Sequence, residues 1–430
     1  MREYPPARQV IWPMLLLFLG ANLYSIDRAI VGVLAEPIRK SFAIGDAQMG
    51  LLMGMAYSLL SAVLGLGLGW LVDHRDRRRL VAGAIALWSV ATIACGLAPS
   101  FAGFFAARMV VGLGEAAIAP AALSLIADLF APARRGRAMA VYFIGASIGS
   151  GLSSVIPGMI LRHGIAITLP HIGALEAWRT CFVLCGLGGP VVSLLLLTAR
   201  EPVRHAAARE ADSAHMAAKL GDLWARRALV VPLYLGFCLF YVALLGITMW
   251  TAPFLTRHYG LPITAFSGAL GLMLLVTGVS GYLISGLLAD SRLSGGRAGR
   301  IPLLCALPLL GLPAAFAGFA PDYRLSLAML GTIGIAMPMI NVAMNTTLQD
   351  ILPNTMRGFG MAMLGLCSAV IAGAGGPWVM ALAGGGAGGS SGDLGLAFMR
   401  VGLPFLLLSS LCFAAAWRAA ITSAQKDENP

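Results

Sequence analysis

Apolar residues run along this chain in long blocks that are separated by short polar joints. A helix needs about 20 predominantly apolar residues to cross a bilayer, and twelve blocks reach that length. They lie at 12–35, 47–72, 79–98, 101–129, 138–161, 178–199, 228–254, 264–289, 300–319, 325–350, 359–384 and 395–418. The pattern predicts an all-α membrane protein with 12 transmembrane helices.

One joint, at 200–227, is much longer than the others and divides the blocks into two sets of six. We therefore predict an N-terminal six-helix bundle over 1–199, a linker over 200–227, a second bundle over 228–420 and a tail over 421–430. The halves also echo each other, since "GWLVDHRDRRR" (69–79) returns as "GLLADSRLSGGR" (286–297) and "PARRGRAMAVY" (132–142) as "PNTMRGFGMAML" (353–364). Pseudo-symmetric, parallel repeats of six helices are typical of one large class of secondary transporter.

Charge distribution gives the expected orientation. Only 11% of the residues are charged, against roughly 25% in soluble domains. The net charge of +11 would suggest a nucleic-acid partner in a soluble protein, but Lys and Arg concentrate in alternate joints by about three to one. Cytoplasmic loops of membrane proteins carry this bias. We therefore expect both termini in the cytoplasm and no nucleic-acid partner.

The sequence lacks the motifs that would indicate several other functions. The seven Cys have no CxxC spacing and the six His have no HExxH spacing, so we expect no metal. The joints contain no nucleophile–base pair and no phosphate loop, which argues against an enzyme and against a cofactor. The linker is too short to fold by itself, which argues against a receptor.

Four charged residues lie well inside the predicted spans: Asp27, Arg28, Arg108 and Glu115. Each costs roughly 2.5–3.5 kcal/mol at a helix centre. At about 1.5 Å of rise per residue, Asp27 and Arg108 can lie at similar depths. One interpretation is that the four charges only neutralise one another and fix two helices together. We favour a proton-binding role for Asp27, with Glu115 as the second candidate.

Several motifs resemble a known family. The segment 69–79 resembles the loop signature of the major facilitator superfamily at Gly69, Asp73, Arg77 and Arg78. Within it, the chain resembles the spinster family of lipid transporters through "NLYSIDRAIVGVL", "IGDAQMGLL", "RMVVGLGEAAIAPAALSLIADLF", "RRGRAMAVYF", "GSGLSS" and "WTAPFL". The resemblance implies that helices 1, 4, 7 and 10 line a central cavity, so we expect Asp27 and Arg108 to face each other across water. It also implies an amphipathic substrate of the sphingolipid or lysophospholipid type.

The expected residues follow from this resemblance and from the charges. We expect the substrate to contact Arg28, Arg108, Tyr24, Asn22, Tyr241, Trp250 and Asn341. We expect a cytoplasmic gate at Gly69, Asp73, Arg77 and Asp128. Arg77 and Asp128 should pair, and Asp73 should approach the start of helix 11.

The combined hypothesis is a proton-coupled carrier of a lipid-like substrate that works by alternating access. A proton-coupled drug or organic-anion transporter of the same fold is the alternative, and sequence alone leaves it open. The expected partners are the lipid bilayer, a small amphipathic or anionic substrate and protons. We expect a monomer in the cytoplasmic (inner) membrane of a bacterium.

Overall fold

A computed structural model describes residues 4–61, 75–170, 173–202, 220–289, 300–353, 356–385 and 392–428. Within these ranges, eleven helices are long and apolar enough to cross a membrane. They coincide with eleven of the twelve blocks marked in the sequence. The remaining block, 47–72, is helical over Asp46–Met53 and again over 55–61, and then extends beyond the described residues.

The chain forms two compact units, of which the first comprises residues 1–44, 55–210 and 260–275. Its helices are α1 (Ala7–Val33), α2 (Ala35–Phe42), α4 (Arg77–Leu97), α5 (Phe101–Ala116), α6 (Ile118–Leu129), α7 (Pro132–His163) and α8 (Ala177–Leu196). The short strands β1 (Thr168–Leu169) and β2 (Gly173–Ala174) pair in antiparallel fashion between α7 and α8. The helix at Asp46–Met53, α3, belongs to the second unit.

The second unit comprises residues 45–54, 211–259 and 276–430. Besides α3 it contains α9 (Arg227–His258), α11 (Ile301–Ala306), α12 (Leu312–Ala315), α13 (Tyr323–Ile351), α14 (Arg357–Ser368), α15 (Ala374–Ala383), α16 (Leu394–Ala397) and α17 (Leu403–Glu428). One further helix, α10 (Ile263–Ala289), begins in the first unit and ends in the second. Short π-helical turns join α14 to α15 and α16 to α17.

The predicted bounds of the two six-helix bundles stay a prediction. Within the second unit, Gly50 is a small residue at the contact between α3 and α15. A Cβ atom on Gly50 would lie only 2.9 Å from the carbonyl oxygen of Pro377. Without a side chain there, α3 packs closely on α15.

Side chains cap several of the spanning helices. Ser100 accepts a hydrogen bond from the N–H of Gly103 at the start of α5. Asp322 accepts hydrogen bonds from the N–H groups of Arg324 and Leu325 at the start of α13. Such caps satisfy backbone N–H groups that have no partner inside the helix. The block at 300–319 breaks into α11, α12 and two 3₁₀ turns. Pro308 and Pro313 explain the breaks, because proline lacks the N–H that continues an α-helix.

Candidate ion-coupling site

Asp27, near the middle of α1, is buried in the first unit and accepts two hydrogen bonds. Its Oδ1 accepts from the hydroxyl of Thr92 on α4 at 2.7 Å, and its Oδ2 accepts from Nη1 of Arg108 on α5 at 2.8 Å. Only 3% of Asp27 and 2% of Arg108 are exposed. The two charges therefore form a direct, buried ion pair, and do not face each other across water as expected from sequence.

The close packing of α5 positions Arg108. A Cβ atom on Gly112, one turn further along the helix, would lie 2.2 Å from the carbonyl oxygen of Tyr57. Glycine is therefore required where α5 crosses the helical segment 55–61. On the other side of the unit, Gly149 of α7 approaches the carbonyl oxygen of Asn22 equally closely. These two contacts hold α5 against the 55–61 segment and α7 against α1.

Glu115 lies two turns beyond Arg108 on α5 and is also buried. In the described part of the chain, neither of its carboxyl oxygens has a hydrogen-bond partner. It interacts electrostatically with Asp27, Arg108 and Arg28. The structure thus brings both predicted proton-binding carboxyls into one electrostatic cluster.

Arg28 points away from the Asp27 pair and lies among aromatic rings. Its Nη1 donates a hydrogen bond to the hydroxyl of Tyr24 at 2.7 Å, and its guanidinium lies 4.9 Å from the centre of the Tyr57 ring. Such a cation–π contact stabilises a partly desolvated guanidinium. No carboxylate lies within ion-pair distance of Arg28 among the residues that the structure describes. This cation is therefore available to an anionic ligand.

The second unit holds the other predicted substrate contacts. The hydroxyl of Tyr241 on α9 accepts a hydrogen bond from Nδ2 of Asn341 on α13, and its ring stacks on Phe237. Trp250 is fully buried, and its indole N–H donates to the carbonyl oxygen of Pro377 at 2.8 Å. The structure therefore uses Trp250 to pack α9 against α15. Its predicted role as a substrate contact stays a prediction.

The predicted contact between Arg77 and Asp128 is present in the first unit. Arg77 is buried and also donates to Oγ of Ser124 and, at 2.9 Å, to Oε1 of Glu201. Glu201 additionally accepts from the N–H of Arg78, so it caps the start of α4. Gly69 and Asp73 lie outside the described residues, and the gating role of the four residues stays a prediction.

One buried ion pair escaped the sequence analysis. Asp46, at the first turn of α3, is fully buried and receives two hydrogen bonds of 2.7 Å from the guanidinium of Arg257 on α9. The N–H of Gly392 adds a third at 2.9 Å. All three residues belong to the second unit. The bidentate geometry is the strongest form of an arginine–carboxylate contact.

Metal binding has no support in the described ranges, which contain no group of three or more His, Cys, Asp or Glu residues able to hold an ion. The seven cysteines are free thiols. The contacts described for the site are ion pairs and hydrogen bonds.

Comparison with known proteins agrees with this fold. Residues 17–377 match the family model of the Major Facilitator Superfamily. An MFS-type efflux pump of Mycolicibacterium smegmatis is 28% identical over 375 residues, which is 85% of this chain and 82% of the pump. Protein spinster homolog 1 of Homo sapiens is 29% identical over 71% of this chain, but the match spans only 59% of the human protein.

A solved structure gives the same result for the fold. The crystal structure of a bacterial homologue of the human lysosomal transporter Spinster, in an inward-facing and unoccupied conformation, superposes with a TM-score of 0.79. It is 23% identical, and the superposition covers 97% of this chain and 98% of that one. The D-xylose–proton symporter superposes with a TM-score of 0.70 at 17% identity, over 94% of this chain and 97% of that chain. The resemblance to spinster proteins predicted from the sequence is thus confirmed.

Proposed function

Because the chain belongs to the Major Facilitator Superfamily, it is a multi-pass membrane transporter and not an enzyme, and we propose that its substrate is an amphipathic lipid. The substrate is of the sphingolipid or lysophospholipid type. It crosses the membrane by alternating access, and its movement is coupled to proton binding at Asp27. The membrane is the cytoplasmic membrane of a bacterium, and the working form is a monomer with both termini in the cytoplasm.

The buried pair of Asp27 and Arg108 is the observation that supports proton coupling most strongly. A buried ion pair kept only for packing can often be replaced by apolar residues at little cost. Ionisable groups inside membrane spans commonly serve ion or proton pathways. Asp27 accepts a hydrogen bond on each carboxyl oxygen, so protonation of either oxygen disturbs this arrangement.

Protonation would change the partner of Arg108. A neutral Asp27 no longer attracts the guanidinium by charge, and Arg108 is then free to pair with another anion. Glu115, seven residues further along α5 and without a hydrogen-bond partner in the described part of the chain, is one such anion. The headgroup of the substrate is another. Exchange of Arg108 between these partners would link proton binding to substrate binding.

Arg28 is half-buried, whereas Arg108 is buried, and it supplies a cation for an anionic headgroup. Its guanidinium has fixed contacts with Tyr24 and Tyr57, which hold the side chain in place. Guanidinium groups bind phosphate and carboxylate through paired hydrogen bonds. A phosphate-bearing single-chain lipid therefore suits this part of the first unit.

The relatives support two substrate classes. Spinster homologues favour a lipid-like substrate. The mycobacterial efflux pump and the probable L-galactonate transporter of Escherichia coli, 26% identical over 77% of this chain, favour a drug or an organic anion. A proton-coupled drug or organic-anion transporter is accordingly the second candidate.

The test is lysophospholipid flux in proteoliposomes, measured with and without an imposed pH gradient. We expect the gradient to accelerate flux in the wild type and to have no effect on Asp27→Asn. Asp350→Asn is the matched control, since Asp350 forms an exposed ion pair with Arg300 at 3.0 Å and should keep the response. If no lysolipid moves but a small organic anion does, the lipid proposal fails and the second candidate stands.

A further inference from the structure

The first unit contains a cavity of about 380 Å³ between α1, α4, α7 and α8. Its walls are mainly aliphatic and include Leu23, Ile26, Ile156 and Ile160. Pockets that bind small molecules measure roughly 300–1,000 Å³, so this cavity can hold one small ligand. It is too small for a lipid with two acyl chains.

The mouth of the cavity consists of apolar side chains on the surface of membrane-spanning helices. Met159 of α7 is 55% exposed, and Leu184 of α8 is 39% exposed. Ile165, just after α7, lies at the same opening and is also exposed. Exposed aliphatic side chains on spanning helices contact the hydrocarbon of the bilayer. A ligand would therefore enter from the lipid side.

The floor of the cavity is polar. Asp27 and Thr92 lie there, and both are already hydrogen-bonded. Ser89 also lines the cavity and is only 1% exposed. Its Oγ has no hydrogen-bond partner among the described residues. A buried hydroxyl without a partner destabilises a fold unless a ligand or water bonds to it.

Two glycines of α8 create the space around this hydroxyl. A Cβ atom on Gly189 would lie 1.6 Å from Oγ of Ser89, so any other residue at this position would displace the hydroxyl. Gly188 is the adjacent lining residue, and a Cβ atom there would meet only the end of the Leu23 side chain at 3.3 Å.

We propose that this cavity binds a single-chain amphiphile whose hydroxyl or amino group hydrogen-bonds to Ser89 and whose alkyl chain extends toward the bilayer. The lining contains the Asp27 carboxylate and no basic residue. An anionic headgroup is therefore disfavoured, and a neutral or cationic one is accepted. This preference is opposite to that of Arg28, so the cavity is distinct from the Arg28 site, although Asp27 of the ion-coupling pair lines it. The proposal does not depend on which substrate is transported.

The experiment uses a long-chain alcohol with a diazirine in mid-chain, added to the full-length protein in proteoliposomes. After irradiation, adducts are mapped by mass spectrometry. We expect saturable labelling of residues 156–165 and 184–189, and competition by the unlabelled alcohol and by the amine of equal chain length. The fatty acid of equal chain length should compete more weakly than the alcohol and the amine, because its carboxylate would lie near the Asp27 carboxylate.

Two variants test the assignment of the residues. Gly188→Leu fills the cavity and should abolish the saturable labelling. Gly83→Leu, the same change at an exposed glycine of α4 with no neighbour within 4 Å, should preserve it. Ser89→Ala nearly keeps the volume and should weaken saturable labelling by the alcohol about fivefold, which corresponds to the loss of about one hydrogen bond and provides a test even if Gly188→Leu does not fold. Non-saturable labelling of all spanning helices, or equal competition by all three headgroups, would overturn the proposal.

Discussion

Replacing Arg108 by leucine removes the cation from the buried pair and leaves the Asp27 carboxylate without its charged partner. The two charged atoms lie 2.8 Å apart, and both side chains are at most 4% exposed. Removing one partner of a buried ion pair typically costs about 3–5 kcal/mol. We therefore expect Arg108→Leu to lower the free energy of unfolding by about that amount.

The double variant Asp27→Asn/Arg108→Leu should be more stable than Arg108→Leu alone. It contains no unpaired buried charge, and replacing both members of a buried pair is often close to neutral. The remaining Asn side chain can keep the hydrogen bond with Thr92. We expect a coupling energy of about 2–3 kcal/mol between the two positions, near the upper end of the range for residues in direct contact.

Unfolding in mixed micelles, followed by circular dichroism as a denaturing detergent is titrated, measures these free energies. Arg300→Leu is the control, because Arg300 pairs with the exposed Asp350 and exposed pairs contribute only about 0–1 kcal/mol. The reasoning would be refuted if Arg108→Leu were no more destabilising than Arg300→Leu, or if the double variant were no more stable than Arg108→Leu.

Three further predictions concern contacts at the helix ends. Asp76→Ala should cost about 1 kcal/mol, because Asp76 caps α4 through the N–H of Arg79. Burial raises the pKa of Asp76, but the Arg79 N–H and the Arg78 guanidinium outweigh it and lower the pKa overall. The contribution of Asp76 to the free energy of unfolding is therefore fully present above the ordinary carboxyl pKa. It is lost as the pH falls through the lowered value. A pH-independent difference in melting temperature between wild type and Asp76→Asn would contradict this. Arg257→Lys should destabilise by about 1–2 kcal/mol, because lysine cannot make the two parallel hydrogen bonds to Asp46; an unchanged melting temperature would argue against that contact. Glu201→Ala should cost about 1–3 kcal/mol by removing an acceptor from buried Arg77, whereas Glu201→Gln should cost less; equal losses in thermal unfolding would exclude the hydrogen-bonding role.

The sequence was sufficient for eleven of the spanning helices and for the similar depth of Asp27 and Arg108, but not for their direct pairing. Blocks of about 20 apolar residues have few other structural interpretations, and charges inside such blocks are costly enough to require partners. The rise along a helix then placed Asp27 and Arg108 at similar depth. The Arg77–Asp128 contact followed from the family resemblance.

Other parts of the site could not be predicted, because they depend on how each helix is rotated. Thr92 and Ser89 are single hydroxyl residues in an apolar helix, and nothing in their spacing distinguishes the one that bonds Asp27 from the one that does not. Asp46 and Arg257 are 211 positions apart, and each looks like an ordinary charge at a helix end. The sequence likewise does not reveal that Trp250 is buried between α9 and α15, and its role as a substrate contact stays a prediction.

Proton movement driven by substrate alone tests the central claim most directly. Proteoliposomes with a pH-sensitive dye inside receive a lysophospholipid gradient and no pH gradient, and the internal pH is followed over time. The account predicts a change of internal pH with wild type and with Asp350→Asn, and none with Asp27→Asn, although all three are folded. Lysophospholipid transport by wild type without any change of internal pH, or an undiminished change with Asp27→Asn, would contradict it.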